Sequence, residues 1–370
     1  MRVLMPMMVI GLLCAGVAWA SDIDADEQVL FFPTSAALSE DGDVWIVPIH
    51  GWIFEQEEDS LWRWGLMEVL EEEVAEPRDD AEEARFTRRG RRFLVDNEGG
   101  QRVEVRVGGE TFELAPSAPN GHFHGSVRVL RDAVHAADGW LVYEAVTRPW
   151  DERTFQGEVQ LLEPRGVSVI SDIDDTIKVS EVAHRQRLLR RTFLEPYEAV
   201  PGMAAIYRRW AEQGAAFHYI TATPWQLHEP VATWMRDAGF PRGSFHMKLF
   251  RWRDETIANL FIDAEVVKAA AVAELLERYP GRRFILVGDD GEDDPELYAR
   301  LAREHPDQVE HIFIRHTGAH EPGRTWPPLE ALPADRWTVF SDDDLRVLSS
   351  YELPPPVREG HSAPPPARSE

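Results

Sequence analysis

Four short, mostly apolar runs dominate the second half of the chain: Val167–Ile170, Ala216–Ile220, Phe284–Val287 and His311–Ile314. Amphipathic segments such as Met203–Gln213, Val231–Ala238 and Val266–Tyr279 lie between them. Strands apolar on both faces, alternating with helices, predict a parallel sheet with helices packed on each side. Such a sheet presents its ligands at the carboxyl ends of its strands. The residues just after each run are therefore where chemistry is expected.

Those residues are unusually consistent. Ser171-Asp172-Ile173-Asp174-Asp175-Thr176 follows the first run, and Thr221-Ala222-Thr223-Pro224 the second. Gly288-Asp289-Asp290-Gly291-Glu292-Asp293-Asp294-Pro295 follows the third, and Lys268 stands on a helical segment 21 residues before Asp289. Carboxylates, a hydroxyl and an ammonium converge on one rim. The chain contains its own control, because Ser21-Asp22-Ile23-Asp24 repeats four of these letters without a preceding apolar strand. Position after a strand carries the signal, and the tetrapeptide alone does not.

The first half reads differently. Residues 28–163 form a β-rich N-terminal module of short alternating runs, such as Val103–Val107 and Val127–Leu130, punctuated by Gly-Gly and Asn-Gly pairs. A sandwich or barrel is expected, interrupted by a helical stretch from Leu61 to Glu83. Residues 165–350 form the α/β unit, and the Pro- and Ser-rich residues 354–370 read as a disordered tail. Residues 1–20 combine Arg2, an apolar run and Ala18-Trp19-Ala20, the pattern of a cleaved signal peptide. Cleavage there would remove Cys14, the sole cysteine. A periplasmic or secreted location is the expectation.

The 39 basic residues face 65 acidic ones, a net charge of −26, which excludes a general basic face for nucleic acid. Only Lys178, Lys248 and Lys268 are lysines, the other 36 basic residues being arginine. Where arginine is the default cation, a lysine marks a place for a compact ammonium.

Taken in order, D-x-D-x-T at Asp172–Thr176, Thr221 at a strand end, Lys268, and G-D-x-x-x-x-D at Gly288–Asp294 resemble the four motifs of the haloacid dehalogenase-like superfamily. The strings SDIDDTIKVSEV, ITATPWQLHEP, GSFHMKLF, FILVGDDGEDDPELY and IFIR are similar to one family in it, the actin-patch-protein type of Mg²⁺-dependent phosphatidate phosphatase. HGWIFE, FLVDN and NGHFHG resemble that family's β-rich module, so the likeness runs over roughly residues 28–350. Asp290 departs from the family's usual serine.

The resemblance implies a Rossmann-like, haloacid dehalogenase-type parallel sheet and an aspartyl-phosphate mechanism. Asp172 would be the nucleophile and Asp174 the general acid and then base. Mg²⁺ would sit on Asp172, Asp289 and the main-chain carbonyl of Asp174, with Asp290 or Asp294 completing or orienting the shell. Thr221 and Lys268 would bind phosphoryl oxygens. Other uses of the same residues stay open: a solvated acidic turn or calcium loop at Asp172–Asp174, helix N-caps at Thr223 and Asp294, and Lys248 in place of Lys268. Lys178 is expected on an exposed face. His122 and His124 share a strand face, without a third metal ligand nearby in sequence.

Only 49 and 47 positions separate Asp172, Thr221 and Lys268, and the intervening helices use most of them. An open site without a large lid suits a bulky phosphomonoester. The expected substrate is phosphatidate or a related lipid phosphomonoester, with transient membrane-surface contact left open. The alternatives are an exported phosphatase for soluble phosphomonoesters or phosphopeptides, and a catalytically silent metal-dependent binding module.

Overall fold

The structure is a computed structural model and describes residues 21–56, 71, 73, 74, 76–250, 264–318 and 325–355 of the 370. The signal-peptide segment 1–20, most of the tail 354–370, and residues 61–70, 72 and 75 of the expected helical stretch lie outside the described residues.

The chain opens with strands β1 (Glu27–Phe31), β2 (Thr34–Leu38) and β3 (Val44–Glu55), then helix α1 (Asp80–Gly90). Asp79 caps α1, its carboxylate accepting from the Glu82 amide at 2.8 Å. Strands β4 (Asp96–Asn97), β5 (Glu104–Val107), β6 (Glu110–Glu113), β7 (His122–Leu130), β8 (Trp140–Ala145) and β9 (Gln156–Leu162) come next. Among the described residues these make one nine-stranded sheet in the order β1-β3-β2-β9-β8-β5-β6, with β4 and β7 also on β3. The sheet is mixed, because β2 pairs parallel to β9. Phe31 of β1 nevertheless meets Tyr143 of β8, ring centroids 5.1 Å apart, across three intervening strands. The sheet therefore folds back over its own core.

The second sheet is wholly parallel among the described residues. Its strands are β10 (Gly166–Asp172), β11 (Ala216–Pro224), β12 (Ser244–Lys248), β13 (Arg282–Asp289), β14 (Val309–Arg315) and β15 (Trp337–Phe340), ordered β12-β11-β10-β13-β14-β15. The chain winds outward from β10 in one direction, then restarts beside it at β13 and winds in the other. A crevice opens where the order reverses, and Asp172 and Asp289 end the two strands that border it.

Helices α2 (Arg185–Phe193), α3 (Met203–Glu212), α4 (His228–Ala238), α5 (Ala264–Arg278) and α6 (Asp294–Glu304) connect these strands. Alternation along β10 sorts them. Val167 and Val169 join a core with Met203, Tyr207 and Trp210 of α3 and Val231 of α4. Ile170 faces the other way, toward Val272 and Leu275 of α5 and Leu297 of α6. The α/β class, with helices on both faces of a parallel sheet, is what the structure has.

The two sheets meet through an aromatic seam. Phe32 packs against His50, Trp225 and His228, at centroid distances of 4.6, 4.2 and 5.0 Å. His50 Nε2 lies 3.0 Å from His122 Nδ1 and its ring stacks on His124 at 4.0 Å. His122 and His124 thus find a third imidazole across the ladder, yet among the described residues no histidine belongs to a group within metal-ligating reach. They are seam residues.

Both ring nitrogens of His228 are buried without a hydrogen-bond partner among the described residues, and burial lowers its pKa to about 3. The unfolded chain takes up this proton as pH falls through about 6.5, and the folded protein does not until far lower. Stability is therefore lost as pH falls below the unfolded value. His228→Phe should lessen that loss by about 2 kcal/mol between about pH 7 and pH 5. Urea unfolding at the two pH values checks it, and an unchanged pH dependence would exclude a neutral buried His228.

Candidate active site

β10 ends on Asp172, whose side chain is 1% exposed. Lys268, from the first turns of α5, places its Nζ 2.9 Å from Asp172 Oδ1, 2.7 Å from Glu292 Oε2 and 2.8 Å from Asp294 Oδ1. The ammonium is itself 2% exposed. Beyond that ion pair, neither Asp172 oxygen has a hydrogen-bond partner among the described residues. Asp289 lies alongside, accepting from the Gly291 amide at 2.7 Å and more distantly from the Thr176 hydroxyl at 3.4 Å.

One ammonium thus faces four carboxylates. Burial, opposed by Lys268 and reinforced by Asp294, Asp289 and Glu292, holds the Asp172 carboxyl well above the usual carboxylate range. Burial, Asp294 and Glu292 push Asp289 up in the same way, against Lys268. Burial alone would lower Lys268, but Asp172, Asp294, Glu292 and Asp289 together raise it well above an ordinary lysine.

This surplus of hard oxygen donors fits a divalent cation. Ligand atoms of Asp172, Asp289 and Glu292 all lie within 4.8 Å of one another, and the orphaned Asp172 oxygens lack any other partner to offset their burial. The ligand group built by the structure therefore includes Glu292, a residue to which the sequence motifs assign no role. Asp290, expected to complete or orient the metal shell, turns away. Its Oδ1 accepts from the Thr317 amide and hydroxyl at 2.8 and 2.7 Å, and its Oδ2 lies 2.5 Å from His316 Nδ1. Asp294 is engaged by Lys268 and by the Asp289 amide at 3.3 Å. It opens α6, with Asp293 in the N-cap position. Gly288 is obligatory here, since a Cβ would collide with the Asp294 carboxylate and the Tyr298 ring.

Asp174 occupies a different environment. Lys178 Nζ donates to its Oδ1 at 2.5 Å and Ser180 Oγ at 2.7 Å, while Thr221 and Thr223 hydroxyls donate to Oδ2 at 2.7 and 2.9 Å. Burial would raise its pKa, but Lys178 and these hydrogen bonds outweigh burial and hold the carboxyl below its ordinary value. A carboxylate caged this way has no proton to give from this rotamer. The acid role expected of Asp174 requires it to swing out, whereas the observed state suits a base.

The cage places three residues differently from expectation. Thr221, expected on phosphoryl oxygens, spends its hydroxyl on Asp174 and accepts from the Thr223 amide at 2.9 Å. Thr223, the penultimate residue of β11, gives its hydroxyl to Asp174 and caps no helix. Lys178, expected on an exposed face, is 2% exposed. Asp175 supports the turn from φ +55°, its carboxylate accepting from the amides of Ser180, Glu181 and Val182.

Because Lys178 is the cation paired with Asp174, Lys178→Met would strand a buried carboxylate. It should lower stability by about 3–5 kcal/mol, and adding Asp174→Asn should recover most of the loss. Urea unfolding of the single and double variants measures both effects, and additive losses would exclude the pairing.

Residues 167–316 match the family profile described as phosphatidate phosphatase APP1, catalytic domain. Phosphatidate phosphatase APP1 of Saccharomyces cerevisiae is 30% identical over 156 residues, covering 41% of this chain and 26% of that protein. An uncharacterised protein of Schizosaccharomyces pombe is 28% identical over 167 residues, covering 44% of this chain and 27% of that one. The chain thus spans about a quarter of the length of these relatives. A β-glucuronidase from Parabacteroides merdae aligns with 78% of this chain and 34% of its own at 10% identity, but a TM-score of 0.27 supports no structural assignment. The matched segment contains the crevice, both D-x-D carboxylates, Lys268 and the Asp289 loop, and over it the chain is similar to the phosphatidate phosphatase APP1 catalytic domain.

Proposed function

We propose that the protein is an exported, Mg²⁺-dependent phosphatase of the haloacid dehalogenase-like type. It hydrolyses phosphatidate or a related lipid phosphomonoester to diacylglycerol and phosphate. The observation that carries this reading is Asp172, a buried carboxylate without hydrogen-bond donors, at the reversal of strand order and 2.9 Å from a buried ammonium.

Asp172 attacks phosphorus in line with the ester oxygen. An aspartyl-phosphate forms as the P–O ester bond breaks, and the alkoxide leaves with a proton from Asp174 swung out of its cage. Water then attacks the same phosphorus, gives its proton to ionised Asp174 and releases phosphate with restored Asp172. Lys268 offsets negative charge on the phosphoryl oxygens as they approach Asp172. Asp172, Asp289 and Glu292 would hold Mg²⁺, which when bound supplies charge neutralisation between nucleophile and phosphate.

Phosphate release from phosphatidate in mixed micelles tests the proposal. Chelator should abolish turnover with Mg²⁺ restoring it, and Asp172→Asn should lose about a thousand-fold or more. Equal rates with chelator, or in Asp172→Asn, would overturn the mechanism.

Lys268→Arg should cost about 10²–10³ in kcat, because a planar guanidinium cannot occupy the pocket in which one ammonium reaches three carboxylates. Wild-type kcat in that variant would refute the assigned role. The charge of −26 opposes approach to an anionic bilayer and favours soluble phosphomonoesters as the second reading. Relative rates on soluble esters and micellar lipid separate the two.

A further inference from the structure

A cavity of about 1030 Å³ lies between the N-terminal sheet, β12 and α5. Neither Asp172, Asp289 nor Lys268 lines it, so it is distinct from the carboxylate centre. We propose that it receives one acyl chain of the phosphomonoester whose phosphoryl group reacts at Asp172, an inference that rests on the lipid-phosphatase reading.

The connection runs through α5. Lys268 projects from this helix to Asp172, while Val267, Ala270, Ala271, Glu274 and Arg278 form a stripe at three- and four-residue spacing along the cavity. The helix carries the chain from β12 to parallel β13, so it must run from the carboxyl edge of the sheet back to the amino edge. Its Val266 end therefore stands at the catalytic rim. At the far end, Arg278 donates to the Ser35 carbonyl at 3.3 Å. From Val266 to Arg278 the helix rises about 18 Å at 1.5 Å per residue. An acyl chain in one bilayer leaflet spans about half of the ~30 Å hydrocarbon core, a length the cavity accommodates.

The walls suit that occupant. The N-terminal sheet contributes Ile46, Pro48 and Ile49, and β12 contributes Phe245 and Met247. Ala270, Ala271 and Gly125 leave the space between the walls unfilled. At the rim, Leu249 and Val266 are 46% and 68% exposed, two of the five large apolar side chains exposed among the described residues. An apolar entrance beside an anionic centre is what an amphiphile with a phosphate head requires. Lys248 also lines this end, paired in register with Pro224 of β11, and Trp225 comes directly after. The same strand supplies Thr221 and Thr223 to Asp174. β12 lies two strands from β10, about 10 Å at the usual inter-strand spacing, a gap comparable to a glycerol phosphate head group.

The experiment compares single-chain lysophosphatidates from octanoyl to palmitoyl, below their aggregation limits, with wild type, Ala270→Trp and the distant surface variant Trp150→Ala. Wild type and Trp150→Ala should show kcat/KM rising about ten-fold or more with chain length. Ala270→Trp, which fills the cavity from an exposed helix position, should bring the palmitoyl-to-octanoyl ratio close to one at an unchanged urea midpoint. A ratio retained in Ala270→Trp overturns the proposal. Binding of cis-parinaric acid, followed by fluorescence, needs no turnover. Binding to wild type that weakens at least about ten-fold in Ala270→Trp supports the cavity even if no lysophosphatidate is hydrolysed, in which case the lipid-phosphatase reading alone fails. No binding, or equal binding to both proteins, overturns the cavity whatever the turnover shows.

Discussion

A single buried ammonium holds the crevice together. Lys268 touches Asp172, Glu292 and Asp294 within 3 Å, with Asp289 close behind, and almost no water reaches the group. Four carboxylates and one lysine leave a surplus of negative charge that desolvation makes costly. Proton uptake relieves it in one way, which is why Asp172 and Asp289 are pushed above the ordinary range. A divalent cation held by these carboxylates would relieve it in another, inverting the local electrostatics. The same surplus of negative charge is what would favour a divalent cation beside these carboxylates.

Two residues further along, Asp174 meets the opposite conditions. Lys178 and three hydroxyls keep it charged without any metal ion. Carboxylates separated by one residue are thus driven in opposite directions by their surroundings, the usual physical signature of a division of roles. The division arises from strand geometry. Asp172 pairs in register with Ile220, so Thr221 and Thr223 emerge from β11 just beyond it, at the level of Asp174. Lys178 returns from the turn stabilised by Asp175, supplying the counter-charge.

The parallel sheet, the strand-end carboxylates and Lys268 were legible in the sequence because each rests on a local pattern: an apolar run, the polar residues at its carboxyl end, and the usual strand–helix spacing. The cage around Asp174 was not, because it depends on which hydroxyls of β11 the register brings opposite it. Glu292 was hidden for a related reason. It stands in an acidic string from Asp289 to Asp294 without periodicity, and only the fold of that loop decides which carboxylates turn inward and which, like Asp290, turn to His316 and Thr317. In the N-terminal half, alternation revealed the strands. The parallel pairing of β2 with β9, across more than a hundred residues, left no local trace.

The lysine count connects these points. Lys178, Lys248 and Lys268 are 2, 6 and 2% exposed, so all three lysines of the chain are buried. Lysine is ordinarily among the least buried residue types. In a sequence that uses arginine for nearly every other cation, this concentration has a steric and electrostatic cause. A guanidinium is broad, planar and committed to a fork of donors, whereas an ammonium fits a small pocket and directs three donors tetrahedrally. Lys268 uses that geometry to reach three carboxylates at once, and Lys178 to reach both Asp174 and the Ser180 hydroxyl. Lys248 stands where the sheet edge meets the apolar cavity, a place that admits a slender aliphatic stem ending in one charge. At Lys178 and Lys268 it is the compact ammonium that the buried carboxylates and hydroxyl surround.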